Sequence, residues 1–410
     1  MNRTRDHACR GVRRGAAQCR GGGNRCARID APGSATARAA PPGDRCRPRD
    51  ARCGRPARRD RGTRVTGRAE DVCATSSVIV TCGTGGVGKT SCAAALGLLA
   101  ARQGRRAVVL TIDPARRLAD AIGLGDAVAN EPVRVPCDAP GELWVAMLDV
   151  QATFDGLVAS TAASPDQARR VLDNPFYRGL SQSLSGTRDY MAAERLHSLW
   201  NDARFDLVVV DTPPTRSALD FLESPERLAR FLQHPVVRLL VAQGRGGLRI
   251  AGAAMQPVVK AIGRVIGNDA LSGAVSFLQS FDGMETEFRR RALAVAELLR
   301  GDGTAFVVVA SPSADAVAEA DWFVSELRRM NIALRLVVEN RVPPEFGGRV
   351  VDVFPDLVIE REAATGVLEG FRNRTLAAHP GVGFARATES ASDIHDLAGV
   401  SRLADEIGNG

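Results

Sequence analysis

Short apolar runs alternate with longer amphipathic stretches along the chain from about residue 75 onward. Runs rich in β-branched residues predict buried strands at six places: 78–82, 107–112, 143–149, 204–210, 305–310 and 334–339. Most of the stretches between them are long enough to hold a helix. Strands that alternate with helices along a chain form parallel sheets with helices on both faces. The pattern therefore predicts an α/β protein with a mostly parallel sheet of about seven strands.

Residues 225–300 depart from this alternation because they contain amphipathic helical patterns without an apolar strand run. The apolar residues that recur at helical spacing are Met255, Val258, Val259, Ile262, Val265, Ile266, Leu271, Val275 and Leu278. The pattern predicts a helical insert between two parts of the sheet core. Its apolar stripes either form the insert's own core or bind a hydrophobic client. A membrane-surface helix over 236–266 conflicts with the glycines at 244, 246 and 247.

The first 74 residues, called here the N-terminal head, differ from the rest in composition. They hold 19 arginines and seven acidic residues, a net charge of +12, so the +7 of the whole chain leaves −5 for the remainder. With few large apolar side chains, the head is expected to be disordered or a wrongly assigned start. A basic tail for nucleic acid or a membrane surface is the alternative. The acidic remainder gives no reason to expect specific nucleic-acid binding. The predicted organisation is the head at 1–74, the first part of the core at 75–224, a helical subdomain at 225–300 and the second part of the core at 301–410.

Cysteine usage and hydropathy argue against several classes of protein. Six of the nine cysteines lie in the head, none lies beyond Cys137, and no two have the Cys-x-x-Cys spacing of a zinc site. The sequence therefore predicts no zinc and no disulfides. No apolar run approaches the roughly 20 residues of a spanning helix, and no apolar signal region opens the chain. We expect a cytoplasmic protein without a transmembrane segment, with peripheral membrane association left open.

The stretch after the first predicted strand holds the main candidate for chemistry. It fits the P-loop pattern Gly-x-x-x-x-Gly-Lys-[Ser/Thr], which binds nucleotide phosphates when it lies between a strand and a helix. Its residues are Gly83, Thr84, Gly85, Gly86, Val87, Gly88, Lys89, Thr90 and Ser91. The alternative is a glycine-rich turn that matches by chance. Against it, Lys89 is one of two lysines among 54 basic residues, and a compact ammonium suits the β- and γ-phosphates. The Thr90 hydroxyl is expected to ligate Mg²⁺.

Two aspartates end strands downstream of this loop. Asp113 follows the run 107–112 and is expected to position or deprotonate the water that attacks the γ-phosphate; its alternative role is a helix N-cap before Pro114. Asp211 ends the run 204–210 in the Walker B manner and is expected to hold Mg²⁺ together with Thr90. Because ligands bind at the carboxyl ends of parallel strands, both aspartates are predicted to lie near the P-loop.

Three motifs together resemble the ArsA/GET group of ATPases. The loop at 83–90, the turn at 113–115 and the segment 211–215 are similar to that group's GKGGVGKT loop, DPAHS-type switch I and DTAPTGHTLR-type switch II. Residues 174–177 and 185–191 are similar to the ArsA-like proteins of actinobacteria. The resemblance covers about residues 75–400. It implies a deviant Walker fold, ATP and Mg²⁺ as cofactors, dimerisation around ATP, and an adenine-reading role for Asn340.

Three features depart from that group's pattern. Thr84 stands where the group has a signature lysine that reaches the partner's nucleotide, and arginines at 116, 117 and 216 replace the histidine-containing ends of the two switches. The Cys-x-x-Cys clasp of GET-type dimers and the cysteines of arsenite-stimulated members are both missing. Arsenite efflux is therefore not expected. The expected partner is either a second copy of this chain or a paralogue that keeps the signature lysine. Alternatively, one of the three arginines supplies the missing positive charge within the same chain.

The sequence therefore predicts an ATP-hydrolysing P-loop protein of the ArsA/GET type. Lys89 and Asp113 are the catalytic candidates, Thr90 and Asp211 the metal ligands, and a hydrophobic client is placed at 225–300. The alternative is a weakly hydrolysing regulatory or scaffold subunit that binds nucleotide and acts through partners. Thr84 favours that alternative, whereas Asp113 favours the enzyme.

Overall fold

The computed structural model describes residues 67–113, 117–124, 129–175, 177, 185–235, 273, 276–277, 279–345 and 355–409. Its helices include α1 (Ala69–Thr75), α2 (Lys89–Arg102), α3 (Arg117–Ile122), α4 (Val150–Thr161), α5 (Pro165–Leu172), α6 (Ser185–Asn201), α7 (Thr215–Gln233), α8 (Glu285–Arg300), α9 (Ala314–Arg329), α10 (Pro355–Ala378) and α11 (Leu397–Asn409). Its strands are β1 (Val78–Cys82), β2 (Arg106–Thr111), β3 (Val133–Val135), β4 (Glu142–Met147), β5 (Leu207–Asp211), β6 (Thr304–Ala310), β7 (Leu334–Val342) and β8 (Gly383–Thr388).

The described strands form one sheet in the order β3-β4-β2-β5-β1-β6-β7-β8. Neighbouring strands are parallel throughout, except that β3 runs antiparallel to β4. The predicted α/β fold with a mostly parallel sheet is therefore confirmed. The sheet has two strands that the sequence pattern does not predict, β3 and β8. In β3 only Val135 is buried, and β8 alternates between buried small residues and more exposed ones, so neither contains a continuous apolar run.

Strand β1 lies at the centre of the sheet, between β5 and β6, and every one of its residues is buried. From β1 the chain crosses through α2 to β2 on one side of the sheet, whereas β6, β7 and β8 lie on the other side. Such a reversal opens a crevice beyond the carboxyl ends of the strands, where ligands of α/β proteins bind. The P-loop leaves β1 at this crevice.

Two apolar layers cover the two faces of the sheet. Helices α1, α2, α3 and α11 pack on one face, and α6, α7, α8, α9 and α10 on the other. Residues 92–101 of α2 are all buried, because this helix is enclosed between the sheet and the pair α1 and α11. Its small side chains let the surrounding elements approach closely. At Gly97 an added Cβ would lie 2.6 Å from the Val109 side chain, so even an alanine would force movement there.

A third apolar cluster, called here the helical cluster, is formed by helices rather than by the sheet. Its buried residues are Phe154, Leu157, Val158, Val171, Tyr177, Tyr190, Met191, Ala229, Leu232, Phe277, Phe281, Met284, Phe288 and Ala292. Aromatic rings dominate its interior, with centroids of Phe281 and Phe288 4.7 Å apart. The predicted insert at 225–300 supplies only part of this cluster, because 154–191 supply the rest. The apolar stripe residues predicted between 255 and 278 lie outside the described residues, and the division of the chain into domains stays a prediction.

The described residues include the last part of the predicted head. Residues 69–75 form α1, in which Ala69, Val72 and Cys73 are buried in the same apolar layer as α2. The predicted boundary at 74 falls inside this helix. Its apolar side chains recur at helical spacing, a signal that the arginine-rich composition of the whole segment conceals. Within the described residues, no helix combines the length and the apolar character that crossing a membrane requires.

Candidate functional site

The P-loop is shaped by glycines at positions where a side chain does not fit. Gly88 has φ +91° and caps the start of α2, and a Cβ there would lie 2.3 Å from the amide nitrogen of Asn340. At Gly83, a Cβ would lie 2.3 Å from the carbonyl oxygen of Val309 on β6. Both positions therefore need glycine. The loop is thus packed closely between β6, Asn340 and the first turn of α2.

Lys89 is held inside the loop. Its ammonium donates a hydrogen bond to the Thr84 carbonyl oxygen at 2.8 Å, and only 8% of the residue is exposed. Burial lowers the pKa of Lys89, and the nearby Asp211 carboxylate opposes that shift. A buried cation of this kind is available for an anion that enters the loop, and the negative charge of a phosphate would offset its desolvation.

Asp211 forms a hydrogen-bonded network with two threonines at the end of β5. Its Oδ2 accepts hydrogen bonds from the hydroxyls of Thr90 at 2.8 Å and Thr111 at 3.0 Å. The sheet register brings these groups together, because Thr111 on β2 pairs directly with Asp211. Burial raises the pKa of Asp211 to about 6, although both hydroxyls act in the opposite direction. The carboxylate is thus positioned at an energetic cost, which points to a binding role.

The donor atoms around Asp211 fit a magnesium ion. Its buried Oδ1 has no hydrogen-bond partner among the described residues, and the Thr90 hydroxyl is bonded to its other oxygen. The described part of the chain contains no group of three or more His, Cys, Asp or Glu side chains that could hold a metal by themselves. Magnesium in nucleotide sites is held by one or two protein oxygens, with phosphate oxygens and waters completing the shell. The residues present match that arrangement.

Asp113 lies just beyond β2, beside the network. Its backbone N–H donates to the Thr111 hydroxyl oxygen at 3.3 Å, so the turn is linked through Thr111 to Asp211. The Asp113 Oδ2 lies 3.9 Å from a guanidinium nitrogen of Arg117, the first residue of α3. Residues 114–116 lie outside the described residues. The predicted water-positioning carboxylate is therefore at the site and next to a cation.

Asn340 contacts the P-loop itself. Its side-chain amide donates to the Val87 carbonyl oxygen at 2.7 Å, and the residue is buried. The neighbouring Glu339, fully buried, accepts hydrogen bonds from Arg372 of α10 and Arg386 of β8 at about 3 Å. The end of β7 is thereby fixed beside the loop. The role in adenine recognition that the resemblance implies stays a prediction, whereas the contact with Val87 gives Asn340 a supporting role.

A cavity of about 740 Å³ opens above these residues. Of the predicted site residues, it is lined by Gly86, Gly88, Lys89, Thr90, Ser91, Asp113 and Asn340. Asp211 does not line the cavity itself but accepts a hydrogen bond from Thr90, which does. The other loop residues, Gly83, Thr84, Gly85 and Val87, shape the loop without lining the cavity. Phosphate-binding and metal-binding candidates are therefore brought to one place.

Other lining residues were not predicted as members of the site. The most notable are Arg117, Arg341, Glu389, His395, Arg402 and Glu406. Arg117 lies four residues after Asp113, and the sequence suggests for it only a possible replacement of the signature lysine's positive charge. Arg341 has φ +59°, a strained conformation for a residue other than glycine. For the segment at 388–406, nothing in the sequence indicates that α11 packs beside α2 and closes the cavity.

Two buried thiols near the loop are chemically quiet. Burial raises the pKa of Cys82 to about 12 and has the same effect on Cys92. Both therefore stay protonated at neutral pH, and a protonated thiol is a poor nucleophile and metal ligand. The chemistry of the cavity is carried by oxygen and nitrogen groups.

Several known proteins are similar in sequence to this chain. The chain is 24% identical to an ATPase ASNA1 homolog of Entamoeba dispar over 267 residues, 64% of this chain and 75% of the relative. It is 27% identical to ATPase GET3B of Arabidopsis thaliana, with 64% of this chain and 63% of the relative covered. It is 32% identical to an uncharacterized protein of Streptomyces coelicolor, with 64% and 62% covered.

A family profile gives the most direct assignment. Residues 76–353, more than half of the chain, match the profile described as anion-transporting ATPase. The match begins just before β1 and includes the P-loop, Asp113, Asp211 and Asn340. The chain therefore belongs to the anion-transporting ATPase family and is an ATPase.

Proposed function

We propose that the cavity binds ATP with Mg²⁺ and that the chain hydrolyses it to ADP and inorganic phosphate. The observation that carries the proposal is the buried network in which Asp211 accepts a hydrogen bond from Thr90 and keeps its other oxygen without a partner in the described residues. This network lies next to Lys89, at the mouth of a loop whose glycines leave room for a ligand. Such a combination of a cation, a hydroxyl and a carboxylate suits a metal-bound triphosphate.

Each group has a distinct part in binding. Lys89 and the backbone N–H groups of the loop hold the β- and γ-phosphates, as the positive end of α2 favours. Thr90 and Asp211 would hold Mg²⁺. When bound, this ion neutralises part of the phosphate charge. The hydrogen bond from Asn340 to Val87 keeps the loop in the shape that binding requires.

Hydrolysis needs a water molecule in line with the bond that breaks. Asp113 orients that water at the open side of the γ-phosphate. The water oxygen forms a bond to the γ-phosphorus as the bond to the β,γ-bridging oxygen breaks, and the electron pair of the broken bond stays on ADP. The proton released by the water passes to Asp113 and then to solvent. The products are ADP and inorganic phosphate.

We further propose that nucleotide state is coupled to the helical cluster. A single helix supports this, because α7 begins at Thr215, directly after the cavity residues Thr212 and Pro214, and ends with Ala229 and Leu232 buried in the cluster. A change at the phosphate end would therefore be transmitted along α7, which contains Pro225, to its far end. The coupling acts on a bound client or partner, and the working unit is a dimer, as the resemblance to the ArsA/GET group implies.

A second candidate is a scaffold subunit that binds ATP and hydrolyses it weakly. Thr84 favours it, because this neutral residue replaces a lysine that related dimers direct to the partner's nucleotide. In a homodimer both sites would then face a hydroxyl, whereas a paralogue with the lysine would complete one site. A comparison of turnover in wild type and in Thr84→Lys decides between these cases. Brisk wild-type turnover that the substitution leaves unchanged would argue against a heterodimer.

Lys89→Ala tests the proposed function itself. We expect Mg-ATP binding, measured by calorimetry, to be abolished while the melting temperature stays close to that of wild type. The loss follows because no other group of the loop carries a positive charge. The control is Arg169→Ala on α5, whose side chain is 72% exposed and pairs with Asp166. Unchanged ATP affinity in folded Lys89→Ala would contradict the proposal.

A further inference from the structure

Arg117 is a second cation that lines the candidate nucleotide cavity. It lines the same cavity as Lys89, Thr90 and Asp113. Its side chain is 63% exposed, in contrast to the buried Lys89, so it is free to reorient within the cavity. The guanidinium is 3.9 Å from the Asp113 carboxylate, a distance longer than a hydrogen bond. This pair is therefore held by charge and can be exchanged for a stronger anionic partner.

The charges at the phosphate end of the cavity show why such a cation is needed. Asp113 and Asp211 together outweigh the single positive charge of Lys89. The field of Arg117 reaches Lys89, since it is one of the charges that lower the pKa of that ammonium, after the larger effect of burial. Arg117 is thus a second positive charge near these two carboxylates, in a cavity that further charged residues also line.

Two other arginines line the cavity but are less suited to this role. Arg341 follows the end of β7, and its field acts on the Cys92 thiol, lowering a pKa that burial has raised. Arg402 lies on α11, in the part of the cavity closed by residues 388–406. Among the described cations of the cavity, Arg117 is the one paired with the predicted water-positioning carboxylate.

We propose that Arg117 is a catalytic arginine supplied within the same chain, which leaves Asp113 for the γ-phosphate of bound ATP. This inference rests on the proposed function. A guanidinium presents parallel N–H donors that match two phosphate oxygens. As the bond to the bridging oxygen breaks and the water oxygen bonds to phosphorus, Arg117 stabilises the charge on the transferred phosphoryl group.

A second cation would supply charge that the loop side chains lack. Thr84 contributes no charge to the loop, so Lys89 is its one charged side chain. An arginine that reaches the transferred phosphoryl group is worth about 10³–10⁵ in rate.

The test uses the full chain, with Arg117→Ala, Arg117→Lys and the exposed control Arg169→Ala. For each protein we measure ATP turnover and ATP affinity. We also measure its affinity for two complexes, ADP with aluminium fluoride and ADP with beryllium fluoride. The aluminium fluoride complex imitates the transition state, and the beryllium fluoride complex imitates bound ATP. Melting temperatures report whether each variant is folded.

For Arg117→Ala we expect turnover to fall by about 10³-fold while ATP affinity changes by less than about threefold. The affinity for ADP with aluminium fluoride should fall by about the same factor as turnover. The affinity for ADP with beryllium fluoride should stay close to that of wild type. Arg117→Lys should recover part of the lost turnover and part of the lost affinity for the aluminium fluoride complex, because lysine keeps the positive charge but lacks the parallel N–H donors of a guanidinium. Free guanidinium ion added to Arg117→Ala should raise its turnover, and Arg169→Ala should behave as wild type.

Several results would overturn the inference. Turnover of Arg117→Ala within threefold of wild type would show that the arginine is not needed. Equal losses of ATP and transition-state analogue would assign it to ground-state binding instead. Failure of the wild type to bind the aluminium fluoride complex more tightly than the beryllium fluoride complex would show that the chain lacks its own catalytic cation. Failure of the proposed function would be recognised separately, by unchanged ATP binding in Lys89→Ala.

Discussion

At the scale of single residues, the site depends on a carboxylate whose charged form is disfavoured by burial. Asp211 is 1% exposed, and burial holds its pKa near 6 despite hydrogen bonds from Thr90 and Thr111. A group that only stabilised the fold would not need a charge there, since a neutral residue of the same shape would cost less. Among the described residues Oδ1 has no hydrogen-bond partner, and a cation bound at that oxygen would offset the burial of the charge.

Asp211→Asn should therefore stabilise the protein without nucleotide. The folded-state pKa of about 6 lies above the ordinary aspartate pKa of 3.8, so wild type loses stability as pH rises through this interval. The full cost, about 3 kcal/mol, is present above about pH 6 and absent below about pH 4. In EDTA at pH 8 the variant should melt at a higher temperature than wild type. The difference should close as the pH approaches 4.

Two measurements complete this prediction. The exposed pair partner Asp166→Asn on α5 is the control, and its melting temperature should match wild type at both pH values. Mg²⁺ with ATP should raise the melting temperature of wild type and leave Asp211→Asn unchanged. If the variant instead melts below wild type at pH 8, the hydrogen bonds of the carboxylate outweigh its burial and the argument is wrong.

At the scale of elements, the end of β7 supports the P-loop from the side. The Asn340 amide reaches the Val87 carbonyl oxygen at 2.7 Å, and its nitrogen occupies the space that a side chain at Gly88 would need. Glu339 anchors the same strand end by accepting hydrogen bonds from Arg372 and Arg386, which belong to two different elements. The loop is thus braced by a strand that is two positions away from β1 in the sheet.

Asn340→Ala separates this bracing from recognition of the base. Loss of the hydrogen bond leaves a buried carbonyl oxygen unpaired, at a cost of about 1–3 kcal/mol. We expect ATP to bind about tenfold more weakly, and inorganic tripolyphosphate to weaken by the same factor, because the loop holds phosphates in both. A loss confined to ATP would show that Asn340 acts through the adenine. Asn201→Ala, at the exposed end of α6, is the control.

The sequence predicts elements that carry a local signal and misses those that depend on their neighbours. β1, β5 and β6 are buried on both faces, so each is a continuous apolar run that the pattern identifies. β8 alternates small buried residues with exposed ones, and only its place beside β7 makes it a strand. The P-loop and Asp211 have motifs of their own. The hydrogen bond from Asn340 to Val87 joins residues 253 positions apart, and no pattern along the chain encodes it.

At the scale of the whole molecule, the cavity is closed by the last part of the chain. α11 packs against α2, so the segment at 388–406 lies across the cavity from Asp113 and Lys89. The helical cluster is likewise assembled from distant segments, because 154–191 and 229–292 share one core. Sequence analysis places an insert at 225–300 from its periodicity alone. It cannot show which other helices complete that core, since each of them is amphipathic by itself.

At the same scale, α1 packs onto the apolar layer that contains α2 and α11. In α1, Ala69, Val72 and Cys73 are buried, and burial of a valine side chain alone contributes about 1.5–3 kcal/mol. The guanidinium of Arg105 donates to the Cys73 carbonyl oxygen and to that of Asp206, so α1 is tied to the start of β5. The Gln103 side chain also donates to the Glu70 carbonyl oxygen at 2.9 Å.

Two truncations should therefore behave differently. Removal of residues 1–66 keeps α1, and we expect the free energy of unfolding and the ATP affinity to stay as in the full chain, because that segment has too few apolar residues to form a core. Removal of residues 1–75 also deletes α1, exposes the apolar face of α2 and leaves Arg105 without one acceptor. It should lower the free energy of unfolding by about 3–6 kcal/mol in a urea titration. Equal stability of the two truncations would show that α1 adds nothing to the fold, and a large loss in the shorter truncation would show that residues 1–66 contribute to it.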